Sequence, residues 1–224
     1  MKAALDHLVV AARSIDEGVA WAQATLGVTP GPGGAHALFG THNRLLRLDG
    51  SDRGYLEIIA IDPAAVPLRA APLKRWFDLD DPALQARLVA QGPQLVHWVA
   101  RVDAIDAAHG ALAQHGFDGG RVLQASRPTP QGELRWQITV RDDGQRLCGG
   151  ALPTLIQWGD THPTPAMQAS GVSLQALVLA HEDAARLQSA LQAIGITGLS
   201  VDRSGPALRA VLQTPRGAVG LNGA

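Results

Sequence analysis

Two histidines recur at matching places in this sequence. His7 lies in the run Leu5-Asp6-His7-Leu8-Val9-Val10, and His97 in Leu95-Val96-His97-Trp98-Val99. Both runs are short, mostly apolar and read as β-strands. Glu57 sits in another such run, Tyr55-Leu56-Glu57-Ile58-Ile59, and Gln157 in what reads as its counterpart, Leu155-Ile156-Gln157-Trp158. A carboxylate inside so apolar a strand is costly unless it is paired, hydrogen-bonded or bound to a metal. Two imidazoles and one carboxylate make the donor set that holds Fe(II), and the set also suits Zn, Mn, Co or Ni. An amide oxygen from Gln157 would be a weak fourth ligand, leaving positions open for a substrate oxygen or water. His7, Glu57, His97 and Gln157 are therefore the candidate metal ligands. The same residues also have a structural reading: a strand histidine is often a satisfied core residue, and Arg44 and Arg47 are cross-strand candidates to pair with Glu57.

A second polar group surrounds the turn Gly40-Thr41-His42-Asn43, with His36 shortly before it. His36, Thr41 and Asn43 are candidate substrate contacts at the mouth of a cavity, although Thr41 and Asn43 also suit the hydrogen bonds of an ordinary turn. His36 and Gln157 are the candidates for moving a proton or orienting a substrate; a shuttle working near neutral pH favours histidine. Trp98, Trp136 and Trp158 lie in strand-like runs and suit either core or cavity wall. His162, before Pro163, reads as linker.

The elements that must position these residues form a repeat. A strand at 5–12 leads to Ser14 as a helix N-cap, with Glu17 as its capping-box partner and Gly27 as the helix stop. A strand at 95–102 is followed by Asp103 as the cap, a helix at 105–114 and Gly116; a strand at 174–180 is followed by a helix at 182–193 and Gly195. The distances from His7 to Gly27, His97 to Gly116 and Gln175 to Gly195 are 20, 19 and 20 residues. Internal repeats of this kind set an architecture. After each glycine come three strand-like runs. The boundaries expected are a first βαβββ module at 1–62, a partly helical connection at 63–93 carrying Trp76-Phe77, and a second module at 94–160. A linker at 161–171 and a shorter βαβββ-like unit at 172–224 complete the chain. The fold class is α+β, with two modules closing a cup-shaped curved mixed sheet, since one module buries only one sheet face. The third unit would cover a sheet edge or mediate a homodimer.

Composition excludes several functions. Net charge is −1 with basic residues spread along the chain, so no nucleic-acid footprint appears. No apolar run reaches membrane-spanning length, and no leader pattern precedes the first strand, so a cytoplasmic protein is expected. Cys148 is the single cysteine, which excludes an internal disulfide and thiolate-rich zinc sites.

The runs Leu5–Val10, Gly33–His36, Gly40–Asn43 and Gly54–Glu57, with Leu152–Gly159 followed by His162-Pro163, resemble glyoxalase-like domains of the vicinal oxygen chelate superfamily (glyoxalase, bleomycin resistance and extradiol dioxygenase). The resemblance spans about residues 4–165. It implies paired βαβββ modules around a cavity, with a divalent metal held from the first and last strands of each. Those positions are His7, Glu57, His97 and Gln157, although the superfamily commonly has a carboxylate where Gln157 stands. The implied function is binding of a small oxygen-bearing metabolite between the first two modules, with metal-dependent lyase, isomerase or dioxygenase chemistry. The alternative is metal-free binding or sequestration of such a molecule, with tryptophan walls. Fold alone does not decide between them.

Overall fold

A computed structural model describes residues 2–130 and 132–223. Its first module runs β1 (Ala3–Ala11), α1 (Ile15–Thr25), β2 (Ala35–His36), β3 (Thr41–Arg47) and β4 (Tyr55–Ile61). Helix α2 (Pro82–Gln91) lies in the connection. The second module follows with β5 (Gln94–Val102), α3 (Ile105–Gln114), β6 (Arg121–Thr129), β7 (Gly132–Val140) and β8 (Thr154–Trp158). The last unit holds β9 (Ser173–Ala180), α4 (Ala184–Ala193), β10 (Val201–Asp202), β11 (Leu208–Thr214) and β12 (Gly217–Asn222).

Eight strands form one curved, nearly closed sheet in the order β2-β3-β4-β1-β5-β8-β7-β6. That order reads the same from either end once each strand is exchanged for its counterpart, as two modules related by a pseudo-twofold axis require. β1 and β5 meet antiparallel at the centre, while β1–β4 and β5–β8 are parallel. The expected cup is therefore present. Beside it lies a four-stranded sheet, β10-β9-β11-β12, whose order differs from the β2-β3-β4-β1 of the first module.

Alternation along the strands separates two cores. Leu8, Val10, Leu56, Ile58 and Trp98 face the helices, in one cluster with Leu187, Leu191, Leu208 and Leu212 of the last unit. The third unit thus shares the core behind the cup. On the concave side Val9, Ala11, Ile59, Val99, Trp136, Ile138 and Ile156 pack with Trp76 and Phe77 from the connection. Burying a Leu or Ile side chain fully contributes about 1.5–3 kcal/mol, so both faces hold the sheet.

Helix ends follow the sequence signals with two exceptions. Ser14 Oγ accepts from the Glu17 N–H at 3.2 Å, and Gly27, Gly116 and Gly195 take φ of 76°, 76° and 91°, a left-handed region that suits glycine after a helix. Glu17 accepts from the Arg13 backbone N–H rather than from Ser14. At α3 the cap position is Ala104, not Asp103, and it offers no side-chain acceptor. Instead Gln157 Oε1 accepts from the Ile105 N–H at 2.7 Å. Replacing Gln157 with alanine leaves that N–H unpaired and should destabilise the protein by about 1 kcal/mol, read as a lower urea midpoint.

Candidate active site

The floor of the cup is built from β1, β3 and β4 of the first module. Adjacent residues on a strand ordinarily point to opposite faces, but the β1–β5 register shifts between Leu5 and His7. There the Asp6 and His7 side chains meet, with His7 Nδ1 and Asp6 Oδ1 2.7 Å apart. Asp6 is fully buried. Its other oxygen accepts from Trp158 Nε1 at 3.0 Å and His162 Nε2 at 3.1 Å. Burial works to raise the Asp6 pKa, but hydrogen bonds from His162 and His7 and their charge outweigh it and hold the carboxyl well below the usual carboxylate range. An ionised carboxylate only accepts, so His7 donates from Nδ1 and leaves Nε2 facing Glu57 Oε2 at 3.6 Å.

Glu57 is oriented from its other side. Asn43 Oδ1 accepts from the Gly34 N–H at 2.8 Å, which fixes the amide so that Nδ2 donates to Glu57 Oε1 at 2.6 Å. The second Nδ2 hydrogen faces His36 Nε2 at 3.3 Å. His36 Nε2 is then an acceptor, and Nδ1 donates to Thr41 Oγ1 at 3.1 Å. Burial, helped by Arg127, pushes His36 down to about 3, so it stays neutral and holds Asn43. Tyr55 stacks on His7 at 4.5 Å, and burial with Asp6 and Glu57 nearby raises its hydroxyl well above 10.0. Arg127, Trp76, Trp136 and Trp158 complete the lining of a cavity of about 30 Å³ over this floor. That is room for about two waters.

The sequence-derived candidates divide. His7, Glu57, His36, Thr41 and Asn43 are brought together, and Trp136 and Trp158 form a wall, their rings 5.6 Å apart. Trp98 belongs to the core behind the sheet, its Nε1 donating to the Ala151 carbonyl at 2.9 Å. His97 opens onto a separate cavity across an aromatic stack. Phe39 lies on Trp76 at 3.8 Å, Trp76 on Phe77 at 5.0 Å, and Phe77 on His97 at 5.2 Å. Burial, then Arg146, pushes His97 well below 6.5. Gln157 points out of the cup to α3. Register supplies the reason: Val9 pairs with Glu57, and Val99, two residues after His97 as Val9 is after His7, pairs with Thr154. Thr154 is thus the counterpart of Glu57, and its N–H donates to His97 Nε2 at 3.1 Å. Gln157 stands three residues further on and falls on the opposite face.

These positions do not fit the expected four-donor metal site. Among the described residues no group of three or more His, Cys, Asp or Glu side chains is arranged to hold a metal ion. Glu57 Oε1 and His36 Nε2 are already engaged by Asn43. Three site residues escaped the sequence reading. Asp6 was hidden beside His7 and His162 in an apparent linker, and Arg127 lies near the end of β6, which runs to Thr129. The signal for Asp6 was its charge within an apolar strand. Cys148 is half-buried in a turn, its thiol pushed up to about 11 by burial.

Paired βαβββ modules around a polar floor define a vicinal oxygen chelate fold. The model of the glyoxalase-like domain matches residues 5–195, and the chain belongs to that family. A hypothetical protein from Staphylococcus aureus is 13% identical with a TM-score of 0.59, the match covering 99% of this chain and 86% of that one. A Streptomyces coelicolor methylmalonyl-CoA epimerase is 20% identical with a TM-score of 0.44, over 71% of this chain and 96% of its own. The Mycobacterium tuberculosis methylmalonyl-CoA epimerase is 18% identical with a TM-score of 0.40, over 73% and 91%. No protein of curated function matches the chain. No helix among the described residues is long and apolar enough to cross a membrane.

Two outcomes follow. Asp6→Asn replaces an acceptor of three N–H donors with an amide that presents N–H in turn, and should cost about 3–5 kcal/mol in urea unfolding. His36 has a folded value of about 3 against an ordinary 6.5, so the unfolded chain binds the extra proton between those values. Its contribution is complete above pH 6.5 and is lost as pH falls toward 3, with His97 acting in the same direction. Urea midpoints should fall over that window, and His36→Gln should flatten part of the slope.

Proposed function

We propose that the cup binds a small oxygen-bearing metabolite and that Glu57 moves a proton on it, in lyase or isomerase chemistry. The observation that carries this reading is the 3.6 Å approach of His7 Nε2 to Glu57 Oε2, with the far side of each group already committed. The two groups flank one position above the floor, and that is where a ligand's transferable proton belongs. Glu57 Oε2 accepts the proton from the carbon beside a carbonyl and returns it. His7 Nε2 faces the same position, oriented by Asp6 through Nδ1. Asn43 holds Glu57 in place while His36 and Gly34 hold Asn43. Trp76, Trp136 and Trp158 keep water scarce, which strengthens every charge–dipole interaction inside. A ligand larger than about two waters enters only when side chains of the lining shift.

The second reading, metal-free binding or sequestration, is favoured by the aromatic walls, since ligand pockets are mostly apolar. Proton exchange separates the two. In D2O, wild-type protein should catalyse exchange at the carbon beside the carbonyl of a small 2-oxo acid such as pyruvate, followed by proton NMR. Glu57→Gln should lower that rate by about 10²–10⁴. An exchange rate unchanged by Glu57→Gln sinks the assignment, and binding of the acid without exchange favours sequestration. Metal analysis of wild type, His7→Ala and Glu57→Ala, purified without chelator, tests the metal ligands expected from the sequence.

A further inference from the structure

The inward row at the middle of β6 and β7 is apolar except at one position. Leu123 and Ala125 of β6, Leu134, Trp136 and Ile138 of β7, and Ile156 of β8 all pack on the concave side. Two residues after Ala125, on the same face, comes Arg127, which lines the cavity that holds His7 and Glu57. It is half-buried, and among the described residues its side chain makes no hydrogen bond or ion pair. A guanidinium so placed has lost part of its hydration, offset only by attraction to Glu57 and Tyr55 with no hydrogen bond, a state that an incoming anion relieves.

The first module is shaped to receive this side chain. β2 and β6 approach each other where the sheet nearly closes, and the Arg127 guanidinium lies against Gly34. A Cβ at residue 34 would collide with Arg127 Nη1. Gly34 also donates its N–H to Asn43, so the residue that orients Glu57 is the one that leaves room for Arg127.

We infer that Arg127 anchors the carboxylate of a small monoanionic acid whose reacting carbon lies over Glu57 and His7. The inference rests on reading the cup as the metabolite site. A planar fork of N–H donors matches the two oxygens of a carboxylate. A single negative charge suits the site, because Glu57 already places a carboxylate in the same cavity and Arg127 is the one arginine that lines it. A dianion would add repulsion without a second cation to offset it.

Ligand-observed NMR titration tests this, with acetate, pyruvate and lactate each compared with its methyl ester. Wild type should bind at least one acid roughly tenfold or more tightly than its ester. Arg127→Gln should lose that preference and Arg127→Lys should keep part of it. Gly34→Ala retains the charge but displaces the guanidinium, and should weaken acid binding as well. An Arg127→Gln variant that binds the acids as wild type does overturns the inference, as does ester binding equal to acid binding or failure of wild type to bind any of the three. Glu57→Gln should still prefer the acid. If the acids bind through Arg127 but wild type exchanges no proton, the proton-transfer reading fails and the anchor stands.

Discussion

A fully buried carboxylate is the constraint on which the rest of the site depends. Asp6 has no solvent, so its charge persists only through three N–H donors from His7, Trp158 and His162. Hydrogen bonds to a charged group contribute about 1.5–3 kcal/mol each, enough together to outweigh desolvation. Those donors come from β1, from β8 and from the segment after it, so one carboxylate joins the two modules and the chain that leaves them. The same interaction fixes the ring of His7 and aims its Nε2 at Glu57. Stability and the orientation of His7 here share one set of bonds.

The two modules share a backbone plan and differ in what they place inside it. The first sends His7, Glu57, His36 and Asn43 to the concave side, each held by a neighbour. At the corresponding place the second has Thr154 against His97, and the middle of its β6 and β7 inward row is aliphatic and aromatic apart from Arg127. Trp76 and Phe77 then stack between the halves and leave His97 in its own cavity. Symmetry in the strands therefore does not carry over to the chemistry. Polar groups gather on one floor, where they satisfy one another, and the opposite wall excludes water.

Much of the scaffold was legible in the chain. Strand 55–61, helix 105–114 and the three glycine stops coincide with the structure, because periodic burial and helix termination are local properties. Of the strand-like runs expected after each glycine stop, the first in two units is only two residues long, Ala35–His36 and Val201–Asp202, since short runs near sheet edges have little pairing to hold them. His7, Glu57, His36 and Asn43 were readable as polar residues in apolar surroundings. Gln157 was not readable in the same way: a shift of three residues reverses the face of a strand side chain, and only the pairing of Val99 with Thr154 fixes that phase.

The sequence by itself determined the βαβββ repeat, the cup and the polarity of its first module, because each follows from spacing within a few turns or strands. Tertiary structure alone decided which of the paired histidines faces Glu57. It also brought His162 to Asp6 across 156 positions and Arg127 to the floor of the opposite module. Such contacts depend on strand register, on one bulge beside His7 and on the near closure of the sheet. Those arise only when distant segments pair, so no local pattern in the chain encodes them.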